Sequence, residues 1–107
     1  MSKIVISKQF SKYPGGRYFE DGDYNGQKFR EEYLVKALQE ESSVEVELDG
    51  TRGYDSSFLE EAFGGLIRDS GFALPDLDKR LILKSEDRFL LSEIRGYMMD
   101  AWQKIQG

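Results

Sequence analysis

Val44-Glu-Val-Glu-Leu48, Asp49-Gly-Thr-Arg-Gly-Tyr-Asp-Ser-Ser57 and Phe58-Leu-Glu-Glu-Ala-Phe-Gly-Gly-Leu-Ile-Arg68 run on from one another. Val44, Val46 and Leu48 alternate with Glu45 and Glu47, the two-residue period of a strand. Phe58, Leu59, Ala62, Phe63, Leu66 and Ile67 then recur at helical spacing. The stretch reads as strand, polar turn, helix, and the change of period falls at Asp55-Ser56-Ser57.

Ser57 is expected to be the N-cap of this helix. Glu60, three residues on, would complete a capping box in which each side chain satisfies the other's backbone N–H. Loss of such a cap costs about 1 kcal/mol. A hydroxyl there also lies at the positive end of the helix dipole, where an added phosphate finds free N–H donors. Gly64 falls nearly opposite the apolar side and Gly65 on the flank beside Glu61. Each costs roughly 0.8–1 kcal/mol against alanine in a helix. Two readings follow. The helix tolerates two poor residues or approaches a neighbouring loop, or it offers a flat patch, bordered by Glu60, Glu61 and Arg68, to a partner's backbone.

A strand ending in an acidic turn, then Asp-Ser-Ser at the start of a glycine-containing apolar helix, resembles the STAS domain of bacterial anti-sigma-factor antagonists. Gly26-Gln-Lys-Phe-Arg30, Leu48-Asp-Gly50 and Asp55-Ser-Ser-Phe-Leu-Glu-Glu-Ala-Phe-Gly-Gly65 together look like the STAS-like family of unknown function found in bacteria and phages. In the antagonists the second serine of Asp-Ser-Ser is phosphorylated by a kinase that is also the anti-sigma factor. The resemblance carries that role onto Ser57, with Ser56 beside it. The antagonists usually place glycine after the serines; here Phe58 follows.

A chain of 107 residues fits one domain, 1–107, with room for a core that needs no disulfide. Without cysteine there is no thiol chemistry, and without histidine the commonest general base and metal ligand are missing. A net charge of -5 without a basic run argues against nucleic acid or an anionic membrane as the main partner. No signal-peptide or membrane-spanning pattern is present, so the sequence places the protein in the cytoplasm.

Lys3 to Ser7 reads as an edge strand, closed by the turn Tyr13-Pro-Gly-Gly16, with Arg17-Tyr-Phe19 as the return strand of a hairpin. An amphipathic helix is expected over 26–41, with Phe29, Tyr33, Leu34, Ala37 and Leu38 inward. Arg30 falls inside that apolar stripe. It either extends its head to water or pairs with a carboxylate, or it serves as an anion or acidic-partner contact. Asp69-Ser-Gly71 stops the central helix, and Phe72-Ala-Leu-Pro-Asp76 reads as a connection with apolar anchors. Leu81-Ile-Leu83 is a strand. Ser85-Glu-Asp87 opens a final helix with a cap and acidic first-turn residues, and Leu90, Leu91, Ile94, Tyr97, Met98, Ala101, Trp102 and Ile105 form its broad apolar stripe.

The whole reads as an α/β domain with a mostly parallel sheet of about four strands, three main helices and an N-terminal edge strand or hairpin. In such a sheet the turns after the strands gather at one edge. Arg30, Asp49, Asp55, Ser56, Ser57 and Ser85 are expected there, where open α/β sheets bind ligands.

Asp21-Gly-Asp-Tyr-Asn-Gly26 with Glu32 has the spacing of a calcium-binding EF-hand loop, its ligands being Asp21, Asp23, Asn25 and Glu32. Pro14-Gly-Gly16 lies where an entering helix belongs and Lys28 holds the usual hydrophobic position, so a turn opening a helix is the preferred reading. Pro14-Gly-Gly-Arg17 lacks the Gly-Lys-Ser/Thr of a phosphate-cradling loop. Asp49, Asp55, Glu60 and Glu61 are expected on solvated turns and a capped helix end, where no raised pKa is expected.

The expectation is therefore a non-enzymatic regulatory module without cofactor. It would bind a protein, an ATP-binding kinase or anti-sigma-type protein, through Arg30, Asp49, Asp55, Ser57, Glu60, Glu61, Gly64, Gly65 and Arg68. Homo-oligomerisation is left open. The alternatives are a small-ligand or calcium sensor using the sheet edge or the Asp21 loop, and an interaction scaffold without a switch.

Overall fold

The computed structural model describes residues 2–107. Three parallel strands, β1 (Ser2–Val5), β2 (Val44–Glu47) and β3 (Leu81–Lys84), form a sheet in the order β1-β2-β3. Ile4 stands opposite Val46, and Val46 opposite Leu83. Val44 and Val46 are fully buried while Glu45 and Glu47 are half-buried, as the alternation requires.

The sheet thus has one strand fewer than the sequence suggested. Arg17-Tyr-Phe19 forms no return strand. The chain beyond Gly16 (φ +90°) instead enters a 3₁₀ turn, Phe19–Asp21, whose Asp21 carboxylate accepts from the Tyr18 N–H at 2.9 Å. Three residues carry too little period to hold an edge strand against a side chain that satisfies the backbone locally.

β1 ends at Val5, short of the expected Ser7, and runs into a π-helical turn, Ile6–Phe10; four longer helices are described after it: α1 (26–40), α2 (56–68), α3 (Leu74–Arg80) and α4 (Arg88–Gln106). Here α3 replaces the expected connection. Pro75 sits in its first turn, where a missing N–H costs nothing. Its Arg80 reaches the end of α1 and donates to the carbonyls of Leu38, Ser42 and Glu41, capping groups left open there.

Phe58, Leu59, Ala62, Phe63, Leu66 and Ile67 are all buried, as are Phe29, Leu34 and Leu38 of α1 and Ile94, Met98 and Ala101 of α4. Phe58 points inward and stacks on Phe29 (centroids 6.0 Å apart), so its ring does not shield the preceding serines. No helix of the described residues is long and apolar enough to cross a membrane.

Both α1 and α2 widen into a π-helical turn, at Arg30–Leu34 and Glu60–Gly64 respectively. Such turns are rare and occur mostly as single insertions within α-helices. The helices meet closely beside them. A Cβ on Gly26 would stand 2.6 Å from the Phe58 carbonyl oxygen, and one on Gly65 would stand 3.1 Å from Arg30 Cδ.

Candidate functional site

The loops after β2 and β3 are tied together. Asp49 accepts from the Ser85 hydroxyl at 2.6 Å and the Glu86 N–H at 2.9 Å. The Ser85 hydroxyl, followed by that N–H, holds the Asp49 carboxyl below its ordinary value. Asp87, not Ser85, caps α4, accepting from the Phe89 and Leu90 N–H groups. Tyr54 donates to the Leu48 carbonyl at 2.5 Å, and burial pushes its hydroxyl up to about 12.

The N-cap of α2 is Asp55, not Ser57. Its Oδ1 accepts from the Phe58 N–H at 2.7 Å, and its Oδ2 from the Gly16 N–H at 3.1 Å. A carboxylate offers two acceptors and a serine one, so Asp55 caps the helix and pins the 14–16 loop at once. The helix starts two residues earlier than expected, with Ser56 exposed and Ser57 half-buried in its first turn. No capping box forms, because Glu60 is engaged elsewhere.

Glu60 accepts from Arg17 Nη1 and from Arg68 Nη1, each at 2.5 Å. Glu61 turns inward. Its Oε2 lies 2.5 Å from Arg30 Nη1, whose group also donates to the Glu61 carbonyl at 2.8 Å, and its Oε1 takes Arg17 at 3.1 Å and Arg68 at 3.2 Å. Glu60 and Glu61 with Arg17, Arg30 and Arg68 therefore form the centre of one network from surface to core, which Asp69 and Glu31 extend at its exposed edge. Burial acts to raise the Glu60 carboxyl, yet the hydrogen bonds from Arg68 and Arg17 outweigh it and hold the group below its ordinary value. The Glu60 hydrogen bond raises Arg17 in turn.

Four expected contact residues are thereby removed from the surface. Arg30 and Glu61 are 4 % and 2 % exposed, and Gly64 and Gly65 are buried. A Cβ on Gly64 would lie 2.6 Å from Glu60 Oε2 and 3.4 Å from the Tyr97 carbonyl oxygen. The glycines thus admit α4 and the Arg30 side chain, and the flat patch is occupied from within. The wheel misplaced them because it assumes 3.6 residues per turn, whereas Gly64 ends a π-helical turn.

Asp49, Asp55, Ser56 and Ser85 stand at the sheet's C-terminal edge or on α2's first turn, as expected, with Ser57 half-buried behind Ser56. Arg30 is drawn instead into the helix pair. Sequence reading missed Arg17, whose partners lie more than forty residues away. Of the apolar stripe of the last helix, Tyr97 is only half-buried and donates to Glu93 at 2.5 Å, a bond that mainly pushes its hydroxyl up to about 12, and Ile105 is exposed. Phe89 is almost wholly exposed beside a cavity of about 320 Å³ lined by Asp49, Gly50, Tyr54, Asp87 and Glu93. A second cavity of about 490 Å³ lies between Arg17, Tyr18, Arg68, Tyr97 and Lys104.

The calcium-spaced residues run from the 3₁₀ turn into α1, where Glu32 lies. Asp21 holds the 3₁₀ turn, and Asn25, buried, caps α1 by accepting from the Lys28 N–H at 2.8 Å. Asp23 and Glu32 are exposed. Among the described residues no three or more Asp or Glu carboxylates come close enough to hold a metal.

No curated protein and no solved structure matches the chain. The family model described as a STAS-like domain of unknown function matches residues 25–88, from the cap of α1 to the first residue of α4. That span is more than half of the chain and contains the Asp55-Ser56-Ser57 corner, β2, β3 and both halves of the Arg30–Glu61 pair. The chain belongs to the family of STAS-like domains.

Proposed function

We propose that this domain is a non-enzymatic regulatory module that binds a protein partner, an ATP-binding kinase or anti-sigma-type protein, in the cytoplasm. Phosphorylation at the start of α2 switches that binding. The supporting observation is the corner itself: Asp55 caps the helix, which leaves the Ser56 and Ser57 hydroxyls free of that duty, Ser56 exposed and Ser57 partly so. Ser56 shares a helix face with Glu60, one turn on, whose carboxylate holds Arg17 and Arg68. A phosphate there meets the positive helix end and competes with Glu60 for those arginines. The non-enzymatic reading is supported by the Asp49 and Glu60 carboxyls, both held below their ordinary values by their hydrogen bonds, which does not suit them to donate a proton.

The test is phosphopeptide mass spectrometry on the chain isolated from its own cells, with Ser56→Ala and Ser57→Ala as controls. It is read beside capture of an ATP-binding protein by wild type, Ser57→Ala and Ser57→Asp. Phosphate at either serine, and a partner lost only with Ser57→Asp, would support the reading. An unmodified corner together with equal capture by all three chains would overturn it.

A further inference from the structure

Residues 12–24 lie outside the segment that the family model matches. They fold back on themselves, with the Gly15 N–H donating to the Tyr24 carbonyl at 2.9 Å, and the Arg52 N–H donating to the Lys12 carbonyl at 2.8 Å. This loop exposes three tyrosines, Tyr13 at 66 %, Tyr18 at 46 % and Tyr24 at 45 %. Each has a cation against its ring: Arg52 is 5.9 Å from the Tyr13 centroid, Arg17 is 5.9 Å from that of Tyr18, and Lys28 is 6.0 Å from that of Tyr24. Arg17 is already matched by Glu60 and Glu61. Lys12, Lys28 and Arg52 pair with no carboxylate among the described residues.

A cation resting on a tyrosine face keeps its outer side open to an anion, and tyrosine and arginine dominate the energetics of protein contacts. Charge points the same way. Although the chain as a whole carries -5, the cations left unmatched here among the described residues, Lys12, Lys28 and Arg52, stand beside the exposed rings, whereas Lys3, Arg17 and Arg30 are already paired with Glu45, Glu60 and Glu61. We propose that this loop face docks an acidic segment of a protein partner, with Tyr13 and Tyr24 as anchors and Lys12, Lys28 and Arg52 pairing with its carboxylates. The proposal rests on the reading of this pole as protein-binding, but not on serine modification. A peptide fits better than a single-stranded nucleic acid. Glu20, Asp21 and Asp23 stand in the same loop, and a continuous phosphate backbone must pass them, whereas a peptide places its carboxylates at intervals.

The test is titration of the isotope-labelled full chain with a short peptide of alternating glutamate and leucine, followed through backbone amide shifts. Saturable shifts confined to residues 11–28 and 50–56 are expected, with affinity falling about tenfold in Lys28→Glu with Arg52→Glu. Tyr13→Ala, at an exposed position, gives a second reading if that pair disturbs folding, and is expected to weaken binding several-fold. Absence of saturable shifts, equal affinity for the glutamine version of the peptide, or tighter binding of oligothymidine would overturn the proposal. The titration uses unmodified protein, so its failure leaves the serine comparison standing, and the failure of that comparison leaves this result standing.

Discussion

Glu61 Oε2 lies 2.5 Å from Arg30 Nη1, and the two buried side chains join the π-helical turns of α1 and α2. Removing one member of a buried ion pair strands the other charge and typically costs 3–5 kcal/mol. Glu61 would keep Arg17 and Arg68 on its other oxygen, which places Arg30→Leu near the low end of that range. Urea denaturation should show a loss of about 3 kcal/mol for Arg30→Leu. Arg30→Met with Glu61→Leu should recover most of it, since no charge is then left unpaired. A loss under about 1 kcal/mol in the single variant would mean that the arginine head is solvated.

The capping role expected of Ser57 belongs to Asp55. Asp55→Ala removes both the helix cap and the acceptor for Gly16, and should cost about 1–2 kcal/mol in chemical denaturation. Ser57→Ala should stay within about 0.5 kcal/mol of wild type. The reverse order would restore Ser57 as the cap.

Where the chemistry was local, the sequence was legible. The two-residue period of Val44, Val46 and Leu48 and the helical spacing of Phe58 to Ile67 describe buried faces that the structure contains. The Asp-Ser-Ser corner was also found, because the change of period marks it. What escaped depended on distant partners. Whether Asp55 or Ser57 caps α2 turns on Gly16, and whether Glu61 faces water or core turns on Arg30. No spacing within a single helix records either contact, and the π-helical turns shift the wheel on which Gly64 and Gly65 were placed.

Gly65 and Gly96 offer an opposed pair. Alanine is favoured over glycine in helices by about 0.8–1 kcal/mol. At exposed Gly96, where an added Cβ meets nothing within 4 Å, that gain should appear as higher stability. At Gly65 the Cβ runs into the guanidinium of an Arg30 held by Glu61, and a net loss of about 1–3 kcal/mol is expected. Thermal unfolding of both variants checks it, and a stabilised Gly65→Ala would show that Arg30 is free to move.

Acid should weaken the domain through depressed carboxylates. Glu60 lies below its ordinary value of 4.5, and Asp49 and Asp78 lie below theirs of 3.8. A carboxyl whose folded value is depressed stabilises the fold above its unfolded value, and that contribution is lost as pH falls through the folded one. Stability from urea titrations should therefore be flat from neutral pH down to the ordinary carboxylate range and drop below it. Glu60→Gln should make that drop shallower. An unchanged slope in the variant would remove Glu60 from the linkage.

At the corner, Ser56→Asp and Ser57→Asp separate fold from switch. Ser56 stands in the first turn of α2, where a negative charge gains about 0.3–1 kcal/mol from the helix dipole. It also faces Glu60 one turn on, and repulsion there offsets part of the gain, so unfolding should stay within about 0.5 kcal/mol of wild type. Ser57 is half-buried and shares its face with the buried Glu61, so its added carboxylate meets more desolvation and should cost about 1 kcal/mol more than the change at Ser56. Binding should respond differently. On the proposed switch, both acidic variants should lose the partner that the alanine variants keep, through the charge added at the start of α2 rather than through unfolding. Thermal unfolding and partner affinity measured on the same four proteins decide the matter: partner loss that tracks the loss of stability would make these serines structural and the switch would have to lie elsewhere.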